Sequence, residues 1–167
     1  MASSLIGRIA KGLAYLLLLV VIITAVDVWR SQDLPTEVTT FGPMTTLTGE
    51  HIDLNTLSAE QPVLVYVWAS WCGVCSIVSP MVNMLDAPVV SIALASGHDA
   101  KLAGYVQEKG YKFPVVNDTD NHLGQNLGIK VTPTLMVAYK GKLRYATSGI
   151  TTLPGIQVRL WLARLLN

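Results

Sequence analysis

The chain has 167 residues, 51% of them hydrophobic and only 14% charged, with a formal net charge of +1. That length suits one domain of ordinary size plus an appendage. The near-neutral charge excludes the basic footprint of a nucleic-acid binder, the apolar content excludes a disordered tail, and two cysteines are too few for a disulfide scaffold.

Residues 12–26, "GLAYLLLLVVIITAV", carry no charge; Arg8 and Lys11 precede them, and Asp27 and Arg30 follow. With its flanks the stretch reaches the roughly 20 residues that span a bilayer. Trp29 stands where an interfacial anchor sits, and the cations on the amino side predict a cytoplasmic start with the remainder exported. The expectation is a single-pass anchor within residues 1–30, crossing the membrane through residues 12–29. A cleaved signal peptide is the alternative, although its best cut site, Ile23-Thr24-Ala25, has few of the small residues that cleavage needs. A buried core helix would usually show a polar face. Residues 31–43, which include the polar "SQDLPTEVTTF", read as a linker. Residues 44–167 read as one globular domain of usual size.

Inside that domain, "MTTLTGEHIDL" (44–54) alternates around Thr48-Gly49-Glu50 and predicts a hairpin. "PVLVYVWA" (62–69) is a nearly unbroken apolar run, as in a strand buried on both faces. A helix beginning at Cys72 or Gly73 follows, with Val78, Met81, Val82 and Leu85 at helical spacing and Pro80 expected to kink it. "PVVSIALA" (88–95) predicts a second buried strand. Residues 99–109 predict a helix with Leu102, Tyr105 and Val106 on one face and Gly110 as its stop. "FPVVND" (113–118) is a short strand, and residues 119–127 a short helix ended by Gly128. "TLMVAYKGKLRYAT" (134–147) predicts a hairpin about Lys140-Gly141. A last helix runs from Thr152 or Leu153 to Leu166, with Pro154 in its first turn and Leu153, Ile156, Leu160 and Ala163 facing inward. This order describes an α/β domain with a mixed sheet and helices on both faces.

The cysteines are confined to "WCGVC", where Cys72 and Cys75 stand three positions apart. A structural zinc site wants four ligands, and this pair supplies two; His51, His98 and His122 are scattered without ligand spacing. Two thiolates can hold copper(I), so a non-enzymatic copper-binding protein is an alternative, although the five methionines form no cluster. A disulfide closing so small a ring restrains little of the unfolded chain, which argues against a structural staple. Thiol–disulfide exchange needs a nucleophilic thiolate, a second thiol to resolve the mixed disulfide, and access for a partner. Cys72 at a helix amino terminus gains thiolate character from free N–H groups and the helix dipole. Cys75 lies about one turn on and deeper, and Gly73 leaves the approach open. These placements assign Cys72 as nucleophile and Cys75 as resolving thiol, with no bound cofactor needed. "VTPT" (131–134) opens the last hairpin, and a cis Thr132–Pro133 bond would place that loop beside the disulfide and offer backbone groups to an extended peptide. From the residues alone Thr132–Pro133 reads as an ordinary trans bond, because cis is a small minority of X–Pro bonds.

The sequences "VLVYVWASWCGVC" and "VTPTLMVAYKGK", with Pro80 and Gly149, resemble the thioredoxin family. The 44–54 hairpin and the insert ending in "FPVVND" resemble its membrane-anchored TlpA-like or ResA-like branch, and within it the bacterial suppressor-of-copper-sensitivity proteins. The resemblance implies a thioredoxin fold with an N-terminal hairpin, held at the bacterial inner membrane with its catalytic domain in the periplasm. It implies a redox pair at Cys72 and Cys75 flanked by Trp71, and a cis bond at Thr132–Pro133. It also implies reduction of the pair by a membrane electron-transfer protein, disulfide-bearing envelope proteins as substrates, and copper stress as the setting. Two departures stand out: Tyr66 replaces the aspartate many thioredoxins carry six residues before the first cysteine, and Val78 replaces the glutamate of cytochrome-maturation relatives. The candidates left to take the resolving thiol's proton are Glu50, Glu60 or water. The intervening dipeptide, Gly73-Val74, lacks the histidine of strongly oxidising relatives, so the expected direction is reduction of substrates, with disulfide donation as the alternative.

Overall fold

Val63–Trp68 form the strand around which the domain is built, here β3, and every one of its residues is buried. Alternation along the strand explains how a continuous apolar run is used. Val63, Val65 and Val67 face one core, while Leu64, Tyr66 and Trp68 face the other. The computed structural model describes residues 34–166, together with residues 8, 10–15, 17–19, 21–22 and 25–26.

In chain order the elements are a 3-10 turn (Val38–Phe41), β1 (Pro43–Thr45), β2 (His51–Asp53), α1 (Leu54–Leu57), β3, α2 (Gly73–Asn83), β4 (Val89–Leu94), α3 (Asp99–Lys109), β5 (Val115–Asp118), α4 (His122–Asn126), β6 (Thr134–Tyr139), β7 (Lys142–Ser148) and α5 (Leu153–Leu165). The main sheet has the order β5-β4-β3-β6-β7. β4 pairs parallel with β3 and with β5, while β6 is antiparallel to β3 and β7 to β6. This is the mixed sheet expected of a thioredoxin fold. β1 and β2 form the expected N-terminal hairpin, with Met44 opposite Ile52. Its loop reaches the main sheet, where Leu47 N–H donates to Val115 O at 2.8 Å.

The helices divide unequally between the two faces. Side chains of α2, α3 and α5 (Val78 and Val82, Leu102, then Ile156, Leu160 and Ala163) pack on the Tyr66–Trp68 face. The Val63–Val67 face is covered by the 3-10 turn, the hairpin, the start of α1, and Leu123 and Leu127 at α4, with Leu143 of β7 in the same core. Burying each such Val, Leu or Ile side chain is worth about 1.5–3 kcal/mol. Local signals terminate elements where the sequence suggested. Gly110 closes α3 in the left-handed conformation at φ +67. Lys140 and Gly141 turn the β6–β7 hairpin with φ +49 and +77, the positive pair that a type I′ turn requires. α2 continues through Pro80, which lies on an exposed face. The carbonyl it leaves without a helical donor, on Ser76, is also in an exposed residue.

Three elements differ from expectation. α4 begins at His122 rather than Thr119, because Asn121 is left-handed (φ +57) and the Asp118 carboxylate accepts the Gly124 N–H at 2.7 Å. That bond holds Thr119–Asn121 as a turn. α2 stops at Asn83, so Leu85 lies beyond it. The stretch read as a linker is also partly built into the domain. Val38 and Phe41 are core residues. Leu143 N–H donates to Thr36 O (2.8 Å) and Val38 N–H to Gly141 O (3.1 Å), so this stretch covers the outer edge of β7.

Of the expected anchor, the described residues among 10–26 are helical, and Leu13, Leu17, Leu18, Val21 and Ile22 are exposed. Among the described residues no helix is long and apolar enough to cross a membrane. The rest of the expected span, Trp29 included, lies outside the described residues.

Candidate active site

β3 ends at Trp68, and the chain leaves the sheet through Ala69, Ser70 and Trp71 to enter α2. Cys72 is the N-cap of α2, with extended backbone angles (φ −85°, ψ 111°). Its carbonyl accepts the first helical bond from Ser76 N–H at 3.3 Å. Its sulfur takes the place of a capping oxygen: Cys75 N–H donates to Cys72 Sγ at 3.2 Å. There is no acidic residue in the first turn of α2 to offset the dipole's positive end. A negative charge on Cys72 Sγ is therefore favoured by one direct N–H bond and by the dipole.

Cys72 and Cys75 are joined as a disulfide with a Cα–Cα distance of 5.2 Å. The two sulfurs differ in access: Cys72 is half-buried, whereas Cys75 is 2% exposed and belongs to the core under α2. A partner can reach the first and not the second. Trp71 is 66% exposed, yet its indole is held, with Nε1–H donating to Ala95 O at 3.0 Å. Gly73 is exposed, and a side chain there would meet nothing within 4 Å, so open space does surround it. Val74 is half-buried and packs against the α2 core.

The second segment arrives from 60 residues away. Thr132 O lies 3.4 Å from Cys72 Sγ. In the disulfide this is a contact, because the sulfur has no proton; in the reduced form a Cys72 thiol can donate to that oxygen. The Thr132–Pro133 bond is cis, as the family resemblance implied and the residues alone did not. The loop is pinned on both sides. Thr134 Oγ1 donates to Val131 O at 2.7 Å, and Gly149 N–H donates to Pro133 O at 2.8 Å. Gly149 has φ +91, which accounts for glycine there. Val131 and Ile150 are exposed at the same edge.

The position of the usual aspartate holds a neutral pair. Tyr66 is fully buried, and its hydroxyl lies 2.8 Å from Ser79 Oγ, itself 1% exposed. Ser79 sits one helical turn after Cys75 on the same face of α2. Burial pushes the Tyr66 phenol well above its ordinary range, although the Ser79 hydrogen bond works in the other direction. Tyr66 is therefore uncharged at neutral pH. Around it Trp68, Tyr105, Tyr111 and Phe113 form an aromatic cluster, with Tyr66 and Trp68 stacked at 6.2 Å.

Neither acid considered for the resolving thiol's proton is near it. Glu60 precedes β3, at the opposite end from Cys72, and six strand residues put roughly 20 Å between those ends. Glu50 lines a cleft with Val82, Asn83 and Leu85 at the far end of α2. Of the three candidates, water remains. The histidines are surface residues engaged locally: His51 Nδ1 with Thr45, His98 Nδ1 accepting from Lys101 N–H, and His122 Nδ1 with Asn126. Among the described residues no group of three or more His, Cys, Asp or Glu side chains could hold a metal ion. The sequence reading missed Ser79, Ala95 and Ser96. Helical spacing from Cys75 could have suggested Ser79, whereas nothing local marks the other two.

Residues 32–154 match the redoxin family. A thioredoxin-like protein of Haemophilus influenzae is 35% identical over 156 residues, covering 92% of this chain and 93% of that protein. The thiol:disulfide interchange protein DsbE of Escherichia coli is 29% identical over 105 residues, which is 60% of this chain and 57% of that protein. Among solved structures, a secreted Mycobacterium tuberculosis disulfide oxidoreductase homologous to DsbE superposes with a TM-score of 0.62 at 18% identity, over 73% of this chain and 96% of that one. The exposed lipoprotein thioredoxin Etrx1 of Streptococcus pneumoniae gives 0.62 at 22% identity, over 71% and 96%. These structural likenesses establish the fold. With the family match over most of the chain and a CxxC disulfide at the head of α2, the chain belongs to the redoxin family and is a thioredoxin-like disulfide oxidoreductase resembling the DsbE-type proteins.

Proposed function

We propose that the chain is a membrane-tethered reductase of protein disulfides in the periplasm, with Cys72 as nucleophile and Cys75 as resolving thiol. The observation that carries the assignment is the asymmetry of the pair. Cys72 is accessible, accepts the Cys75 N–H and heads α2, while Cys75 is 2% exposed. The Cys72 thiolate attacks one sulfur of a substrate disulfide, and the other substrate sulfur leaves as a thiolate that takes up a proton. Cys75 then loses its proton to water and attacks Cys72 Sγ. The second substrate thiol is released and the protein is left oxidised. Two electrons have passed to the substrate, and a dithiol of a membrane electron-transfer protein returns them.

Several features shape the site for a protein partner. Exposed Trp71 and Gly73 and half-buried Val74 flank Cys72 in the chain, and Thr132 O lies 3.4 Å from its sulfur, which supports a docking site of apolar surface and backbone groups. The uncharged run at residues 12–26, with Arg8 and Lys11 before it, supports a bacterial inner-membrane anchor with its N-terminus in the cytoplasm. Anchoring keeps the domain near a membrane-embedded donor. Copper stress is the proposed setting, since copper oxidises thiols and so creates wrong disulfides.

The reduction potential tests the direction. Equilibrated against dithiothreitol or glutathione buffers, the chain is expected near thioredoxin's value of about −270 mV. A value near about −120 mV would make it a disulfide donor, since about 30 mV corresponds to about 1.4 kcal/mol for this two-electron couple. Absence of any defined couple would remove the redox assignment.

A further inference from the structure

The segment that carries Cys72 out of the sheet loses its strand partners before it reaches the cysteine. The β3–β4 ladder ends at Trp68 opposite Ala93. Ser70 N–H therefore has no ladder partner, and its acceptor is a side chain. Ser96 Oγ, in the loop after β4, accepts the Ser70 N–H at 2.9 Å and donates to Leu94 O at 3.0 Å. Ser96 is 3% exposed. The residues on either side of it are both left-handed, Ala95 at φ +44 and Gly97 at φ +95. For alanine that conformation costs on the order of 1 kcal/mol. The same loop holds three neighbours at once. Ala95 O accepts the Trp71 indole N–H at 3.0 Å, Ser96 Oγ accepts Ser70 N–H, and Gly97 O accepts Asn117 Nδ2 at 2.9 Å. Ala95 N–H is itself tied to Asp118 O at 2.9 Å.

Trp71, 66% exposed as a residue, gains little order from packing. Its orientation depends on the N–H bond to Ala95 and on the backbone from which it projects, and Ser96 is bonded to both segments. We infer that Ser96 is a positioning residue for docking: it fixes the Ser70–Trp71 backbone against the 95–97 loop and so holds the Trp71 ring where a disulfide-bearing protein must seat. The inference rests on the proposed reaction at Cys72. It concerns recognition of a macromolecular substrate and leaves the electronic state of the cysteine to the α2 terminus and the Cys75 N–H.

The test compares Ser96→Ala with wild type in the full chain, solubilised in mild detergent. Two quantities are read: kcat and KM for insulin reduction with dithiothreitol, and the pH dependence of Cys72 alkylation by iodoacetamide in the reduced protein. Insulin must dock; iodoacetamide need not. Losing a buried hydrogen bond is expected to raise KM on the order of fivefold to tenfold, with kcat within about twofold. The alkylation midpoint is expected to stay where it is in wild type. An unchanged KM overturns the inference, and so does a KM effect accompanied by an equal perturbation of alkylation, which would indicate general loosening. Trp71→Phe keeps a ring and removes the N–H, on an exposed residue. It is expected to raise KM in the same direction and, combined with Ser96→Ala, to give less than the product of the two effects. If Ser96→Ala fails to fold, an unchanged KM in Trp71→Phe overturns the inference on its own. Failure of the underlying reading looks different: Cys72→Ser would retain insulin reduction, or wild type would show none.

Discussion

Tyr66 and Ser79 are the two hydroxyls of a buried pair, 0% and 1% exposed and 2.8 Å apart, joining β3 to the helix that carries the cysteines. Tyr66→Phe removes one oxygen and leaves Ser79 without its partner in the core. A buried polar group left unmatched costs about 1–3 kcal/mol. Ser79→Ala leaves the Tyr66 hydroxyl in the same condition and is expected to cost a similar amount. The double variant removes both groups and leaves only a small void, so it is expected to cost no more than either single change. The cycle then shows a coupling at least as large as one single change, about 1–3 kcal/mol. Urea unfolding of the oxidised full chain in mild detergent, with unchanged slopes, measures all four corners. Additivity within about 0.3 kcal/mol would refute the reasoning, because it would mean that neither hydroxyl depends on the other. The pair also has a signature in alkali. The raised Tyr66 value means the folded state disfavours the phenolate. Its contribution is complete below pH 10, the ordinary tyrosine value, and is lost as pH rises above it. Wild type is therefore expected to lose stability above pH 10 more steeply than Tyr66→Phe.

Cys75→Ser is expected to accumulate a mixed disulfide through Cys72 with insulin, seen as a reductant-sensitive band on a non-reducing gel; an equal yield from Cys72→Ser would reverse the assignment of roles. Thr152 caps α5 by accepting Gly155 N–H at 3.3 Å, and Thr152→Ala is expected to cost about 1 kcal/mol in urea unfolding. Gly149→Ala meets no atom within 4 Å but must adopt φ +91, so a loss of about 1–2 kcal/mol is expected from the backbone alone. Asp53 is held below its ordinary carboxyl value of 3.8 by the Thr56 hydroxyl and then by the Asn55 N–H. Its contribution to stability is present above pH 3.8 and is lost as pH falls through the lower folded value. An NMR titration of the Asp53 carboxyl should show the depressed midpoint, and Thr56→Val should return it toward 3.8.

The chemistry at the accessible sulfur depends on short-range features, which is why much of it was legible before any fold was known. A buried strand followed by a helix start at Cys72 puts that residue on a helix dipole whatever the rest of the chain does. β3 was readable from an unbroken apolar run, the β6–β7 turn from Lys140-Gly141, and the inner face of α5 from Ile156, Leu160 and Ala163, although Leu153, expected with them, is only half-buried. Period and capping residues are local properties, so sequence reports them directly. Tertiary structure decided which segments meet. Sheet order and register bring Thr132 O to 3.4 Å from Cys72 across 60 residues, set Ser96 under Ser70, and put Tyr66 opposite Ser79. The same order puts Glu50 and Glu60 at the wrong end of the domain and folds Val38 and Phe41 into the core from a stretch that reads as linker. Sequence gave no access to these because cross-strand neighbours are set by register between distant segments. A period along one strand states which face a residue occupies and not what it finds there.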